Sequence, residues 1–311
     1  MTAASAAERR LLLDKDSRMT HRPRPLTRAL ALAALLGLPG LSHAADYWMG
    51  VFAGSAGKDN QAELKAMFKP LSDYLGKATG NNFKLEISQS FKNMERRLED
   101  GRYAVFLGPP QVTAEAIEGG FEPVAKWDKP LYGVVVVPAD SPYKTVSDLK
   151  GTRMGIAARD TAAGPLCINI LNRAGVRPDK DLAAVYEGKF QDVMIQQLRL
   201  SSLDAICTGP GALRIMNEES PGKFRVLAES ARVPGFALSI DRDLPATEKR
   251  KLVAALVGIG KNPEGKRALA AISGSAAGAA DTLPTDAKEY FTANLLMQEN
   301  KRLYNAQIPE R

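Results

Sequence analysis

Two blocks of similar length, residues 48–117 and 153–217, each alternate short apolar runs with helical segments, and this alternation limits the fold more than any other feature. In the first, WMGVFA (48–53) reads as a strand. A helix over 61–77 follows, with Leu64, Met67, Phe68, Leu71 and Leu75 at helical spacing. A strand over 83–88, a helix over 91–100 that Gly101 ends, a strand over 103–107 and a helix over 111–117 complete it. The second block predicts strands over 153–158, 183–186 and 203–208 and helices over 165–173, 190–200 and 211–217. Regular strand–helix alternation implies mostly parallel sheets with right-handed crossovers, and two blocks imply two lobes. Between them Tyr132, Gly133 and Val134–Val137 form a β-branched run too short for a buried helix, closed by turn residues over 138–142. After a short strand over 223–227 the pattern shifts: a strand over 237–240, helices over 245–260 and 264–271, a small-residue loop over 274–280 and a long helix over 286–305.

The first 44 residues stand apart. Arg22, Arg24 and Arg28 precede an apolar run over 29–38, and Ser42-His43-Ala44 fits a cleavage site, so 1–44 is expected to be a signal peptide, with Met19 as the expected true start. Ten apolar residues are too few to span a bilayer, which needs about 20. No cysteine near the cleavage site marks a lipid anchor. Without this segment 267 of the 311 residues remain. Seven Lys/Arg and three Asp/Glu leave with it, so the net charge falls from +7 to +3. So mild a surplus, with no basic block interleaved with aromatics, gives no reason to expect a nucleic-acid partner.

Both histidines, His21 and His43, lie in the leader. The remaining chain therefore lacks the groups for Ser-His-Asp or Cys-His catalysis and the commonest transition-metal ligand. Cys167 and Cys207 sit in what is expected to be an oxidising compartment. A disulfide between them is one reading. The other is a pair of buried free thiols, because a helix and a strand in packed layers often hold Cα atoms beyond the ~7 Å limit for bridging.

In parallel sheets ligands bind beyond the carboxyl ends of the strands. That rule selects Ser55 beside Gly54, then Ser90 and Phe91, Gly108 and Pro109, the loop Arg159, Asp160, Thr161, Ala162, Ala163 and Gly164, then Lys189 and Phe190, and Thr208. The 159–164 loop matters most. Thr161 is placed to cap the following helix, Pro165 suits its first turn, and the small residues leave backbone N–H groups uncovered. Such a helix start attracts anions. Lys189 and Arg159 are either ligand partners or solvated surface charges.

Four stretches resemble the phosphate/phosphite/phosphonate-binding components of ABC importers: FKPLSDYLGKATG (68–80), LEDGRYAVFLGPPQV (98–112), ADSPYKTVSDLKGTRMGIA (139–157) and LRLSSLDAI (198–206). The resemblance implies an α/β, two-lobed periplasmic binding protein of the type whose chain crosses twice between lobes, here near 132–138 and 229–236. Lobe 1 would hold 45–134 with 232–311, and lobe 2 would hold 135–231. It implies a monomer that closes on a small ligand and hands it to an ABC permease, with no cofactor and no bond broken. A sensor of the same fold, signalling to a membrane kinase, is the alternative, and an enzyme on the same fold is a third. The family's hydroxyl-rich loop, of Ser-Thr-Ser-Gly type, matches 161–164, where Thr161 supplies one hydroxyl. Its aromatic after the second strand matches Phe91, and its Gly-Ser/Thr-His matches Gly188-Lys189-Phe190.

Overall fold

The computed structural model describes residues 44–54, 60–272 and 281–306. The leader up to His43, Ser55 and the 274–280 loop lie outside them. The first lobe opens with β1 (Asp46–Phe52), α1 (Gln61–Thr79), β2 (Asn82–Ser88), α2 (Phe91–Glu99), β3 (Val105–Gly108), α3 (Pro110–Glu118) and β4 (Phe121–Trp127). The second lobe holds β5 (Val134–Pro138), β6 (Arg153–Ala157), α4 (Gly164–Arg173), α5 (Pro178–Asp181), β7 (Ala184–Gly188), α6 (Gln191–Arg199), β8 (Ala205–Thr208), α7 (Pro210–Glu219) and β9 (Phe224–Glu229). The chain then returns through β10 (Ala237–Asp241), α8 (Ala246–Val257), α9 (Pro263–Ile272), β11 (Thr282–Pro284) and α10 (Phe291–Ala306).

Helix α1 shows how local sequence sets these elements. The Asn60 side chain accepts from the Ala62 N–H, Leu64, Phe68, Leu71 and Leu75 line its buried face, and Gly80 ends it at φ 75°, where a side chain would be strained. Each such buried Leu or Phe stabilises the fold by roughly 1.5–3 kcal/mol.

The sheets run β11-β4-β10-β3-β1-β2 and β7-β6-β8-β5-β9. β1 pairs parallel with β2 and β3, and β10 lies antiparallel between β3 and β4, so β1, β2, β3 and β4 share one direction. In the other sheet β5 lies antiparallel between β8 and β9, so β6, β7, β8 and β9 share a direction. The predominantly parallel character holds, with one difference from the expected alternation. Each sheet admits, between its third and fourth parallel strands, the first strand reached after the chain crosses over. The sequence pattern does not predict β4, although its buried and half-buried residues alternate along its length. Nor does it predict β11, which is three residues long.

Both faces of each sheet are covered. In the first lobe α1, α8 and α9 bury one face with Met49, Val51, Leu107, Leu238 and Ile240, while Phe52, Phe106 and Phe121 pack with α2 and α3 on the other. In the second lobe Val135, Ile156 and Cys207 face α4, and Val134, Val136 and Ile206 face α6 and α7.

The chain crosses at 128–133 and 230–236. The first crossing lies upstream of the expected 132–138, because the run from Val134 onward is already β5. The two crossings pair with each other: Leu131 and Val233 exchange N–H···O bonds of 2.9 and 2.8 Å, and the Gly133 N–H donates to Ser230 Oγ at 2.8 Å. This ribbon joins the lobes. Helix α10 packs behind it, and Ala293 and Leu296 bury against Leu166 of α4 and Val233. Among the described residues no helix is long and apolar enough to cross a membrane.

Candidate functional site

The loops at the strand ends of the two lobes meet. The Gln111 side-chain amide, in the first turn of α3, donates to the Thr161 carbonyl at 3.1 Å. Ala162 packs into the first lobe's apolar cluster with Trp127 and Phe236. Gly54, just past β1, lies so close to the second lobe that a Cβ built there would fall 2.5 Å from the Asp160 carbonyl oxygen, which only glycine permits. Gly108 and Pro109, which end β3 and cap α3, therefore stand beside the 159–164 loop.

On the second lobe three helix starts converge. A Cβ at Gly209 would lie 3.7 Å from the Ala163 methyl and 3.6 Å from the Gln191 side-chain nitrogen, which gathers the first turns of α4, α6 and α7. The leading N–H groups of a helix have no partner within it and carry the positive end of its dipole. In α4 the Gly164 N–H is taken by the Thr161 hydroxyl and Pro165 has none, so free donors at this place fall mainly to the starts of α6 and α7.

Thr161 works inside its own loop. It is 4% exposed, its hydroxyl donates to the Ala158 carbonyl at 2.6 Å and accepts from the Gly164 N–H at 3.2 Å. The residue in the capping position is Ala163, so Thr161 fastens the helix start from two residues further back than expected. Thr208 is fully buried at the end of β8, and its hydroxyl has no hydrogen-bond partner in the structure. Ser90 caps α2 by accepting from the Asn93 N–H at 3.4 Å, and Ser88 tightens the same turn by donating to the Ser90 carbonyl at 2.9 Å. Phe91 opens α2, and Phe190 holds the capping position of α6 without a side-chain bond.

The two basic candidates are engaged. Lys189 lies 3.2 Å from Asp160, and Arg159 lies 3.3 Å from Glu187. Both pairs are partly exposed and contribute little to stability. Their net charge is nil.

Cys167 and Cys207 are bridged, with Cα atoms 5.6 Å apart, which corrects the expected separation of the layers. The reason is Gly133. A Cβ there would lie 3.1 Å from Leu166 and 3.2 Å from the Cys167 nitrogen, so its absence lets α4 settle against the sheet. The bridge fixes the first turns of α4 to the strand that ends in Thr208.

Two residues in this region were not anticipated from sequence, Gln111 and Gln191. Each stands in the first turn of a helix immediately after a selected strand-end loop. That position was the available signal. Among the described residues no group of three or more metal-ligating side chains gathers.

The family described as ABC transporter, phosphonate, periplasmic substrate-binding protein matches residues 56–286. No curated protein sequence matches the chain. Among solved structures, a binding protein component of an ABC phosphonate transporter from Pseudomonas aeruginosa is 15% identical, with a TM-score of 0.65 over 86% of this chain and 90% of that one. PhnD1 from Prochlorococcus marinus in complex with methylphosphonate is 14% identical, with a TM-score of 0.65 over 82% and 98%. A Xanthomonas citri protein bound to chloride is 16% identical, with a TM-score of 0.68 over 84% and 99%. At these identities the likeness is one of fold.

Proposed function

The chain belongs to the phosphonate periplasmic substrate-binding proteins of ABC transporters, and from that premise we propose that it closes its two lobes on a small phosphonate- or phosphate-like anion and delivers it to the permease of an importer. The lobes of this reading are 45–133 with 232–311, and 134–231, one residue from the expected boundary because Val134 already belongs to β5. The protein works in the periplasm as a monomer after export on its leader, and it breaks no bond.

The observation that carries the reading is the meeting of Gln111 with Thr161 beside the gathered starts of α4, α6 and α7. An anion held there accepts from backbone N–H groups in a space from which closure removes water, and in lower dielectric those bonds strengthen. Charge-assisted bonds of this kind contribute about 1.5–3 kcal/mol each. Four of them at the upper end, about 12 kcal/mol, less an association cost of about 4 kcal/mol, approach micromolar affinity without a cationic side chain. The Thr208 hydroxyl, buried at the same strand end and unpartnered, is the side chain best placed to add a donor. The ligand of the Prochlorococcus relative, methylphosphonate, is the natural first probe.

A thermal-shift series with methylphosphonate, phosphite, phosphate, sulfate, carboxylates and amino acids tests the reading. A ligand present at a hundred times its dissociation constant adds about 2.7 kcal/mol to stability, so one of the phosphorus oxyanions is expected to raise the melting temperature by several degrees. A shift with carboxylates or amino acids alone would remove the phosphonate-like assignment.

A further inference from the structure

The loop that carries lobe 2's share of the site is gripped from outside that lobe at two of its carbonyl groups. At one end the Gln111 side-chain nitrogen donates to the Thr161 oxygen at 3.1 Å. At the other the Asn300 side-chain nitrogen, on α10, donates to the Pro165 oxygen in the first turn of α4 at 2.9 Å. Asn300 is tied back in turn, because the Asn169 side-chain nitrogen donates to Asn300 Oδ1 at 3.1 Å and to Glu299 Oε2 at 3.0 Å.

The helices that supply the two amides form one unit with lobe 1. The Asn294 side chain of α10 donates to Glu118 of α3 at 3.0 Å. Just ahead of α10, the Tyr290 hydroxyl donates to the Gly235 carbonyl at 2.9 Å and Glu289 pairs with Lys126 of β4. The 161–165 segment thus lies between α3 on the cleft side and α10 behind the hinge.

We propose that Gln111 and Asn300 are a two-point clamp that holds the lobes closed and fixes the position of the loop before any ligand arrives. Gln111 and Asn300 act on the ligand through this loop and are positioning residues. The inference rests on the reading of this loop as the ligand site. Chemistry favours amides in the role. They donate to carbonyl oxygens without setting a cation beside an anion site, and a buried neutral donor avoids the desolvation cost of a charge. Rotation of lobe 2 about the Leu131–Val233 ribbon separates the first bond and shears the second, so both report the closed arrangement. A binding-competent form that is only partly populated weakens apparent affinity by that fraction.

The test uses the exported, mature chain with one spin label at Lys92 on α2 and one at Asn217 on α7, attached to introduced cysteines, since both native cysteines are bridged. Pulsed electron resonance reads the distance between lobes with and without methylphosphonate. Gln111→Met, which keeps the volume and removes the donor, and Asn300→Ala are each expected to move part of the unliganded population to longer distances. Each is also expected to weaken methylphosphonate binding roughly 2- to 10-fold, and the double variant by about the product. Asn294→Ala, which breaks a bond on the same helix but inside lobe 1, is expected to leave the distance distribution unchanged. Wild-type distances in both clamp variants would overturn the clamp, as would the same change in Asn294→Ala. If methylphosphonate fails to bind wild type, the ligand reading fails, while the unliganded distances still decide the clamp.

Discussion

Cys167 and Cys207 join the first turns of α4 to the end of β8 through a disulfide that spans 40 positions of sequence, with Cα atoms 5.6 Å apart. Both are fully buried, Cys167 three residues past Gly164 and Cys207 next to Thr208. Denatured without reductant, the protein is expected to show no free thiol. Replacing both cysteines by alanine is expected to lower stability by roughly 2–4 kcal/mol, because the crosslink restricts the unfolded chain. Thiol titration and urea unfolding check the two statements.

Gly54 offers a way to obstruct closure with one methyl group. A Cβ at this position would lie 2.5 Å from the Asp160 carbonyl oxygen across the cleft. Gly54→Ala is expected to hold the lobes apart and to weaken binding of the ligand found by thermal shift at least about tenfold, matching an overpacking cost of 1–3 kcal/mol. Calorimetric titration measures the loss, and small-angle scattering of the liganded protein should show a larger radius of gyration than wild type.

Thr161 braces its loop internally, donating to Ala158 and accepting from Gly164. Thr161→Val keeps the shape and removes both bonds, with an expected cost of about 1–2 kcal/mol in urea unfolding. Thr161→Ser is expected to retain most of the stability. A Val variant as stable as wild type would separate this hydroxyl from the order of the loop.

Glu115 on α3 supplies a pH test. One of its carboxyl oxygens is buried without a hydrogen-bond partner. Burial, followed by the neighbouring Glu95 carboxylate, pushes its pKa up from 4.5 to about 7. Below pH 4.5 both folded and unfolded chains hold the proton, and the group contributes nothing to the pH dependence. Between 4.5 and about 7 the folded state holds more protons, so stability falls as pH rises, and the loss levels off above 7. Glu115→Gln is therefore expected to match wild type at pH 4 and to exceed it at pH 8 by roughly 1 kcal/mol. Urea unfolding at the two pH values decides it.

Much of the fold was legible because it rests on local pattern. The apolar face of α1, the turn after β2 and the Gly-Pro at the end of β3 each announce themselves within a few residues. β4 lacks a clear strand signature although its burial alternates, because Glu122, Pro123 and Lys126 interrupt its apolar residues. The antiparallel entry of β5 and β10 has no local signature, since strand direction is set by where the chain last crossed. The Cys167–Cys207 distance depended on Gly133, a residue 34 positions before Cys167 whose missing side chain matters only once α4 lies on it. The strand-end rule selected the Gly108 and Thr161 loops, which the fold brings side by side. It could not select Gln111 or Asn300, whose partners lie 50 and 135 positions away, nor show that Lys189 is matched by Asp160 of the neighbouring loop and Arg159 by Glu187 near the end of β7.

The central claim is that an anion sits between the 161–164 loop of one lobe and the 108–111 loop of the other. A crystal structure grown with the oxyanion that gives the largest thermal shift tests this most directly. The account predicts that ligand oxygens lie about 3 Å from first-turn N–H groups at the gathered starts of α4, α6 and α7, beside the two loops. Ligand found elsewhere on the molecule, with that space filled by water, would contradict it.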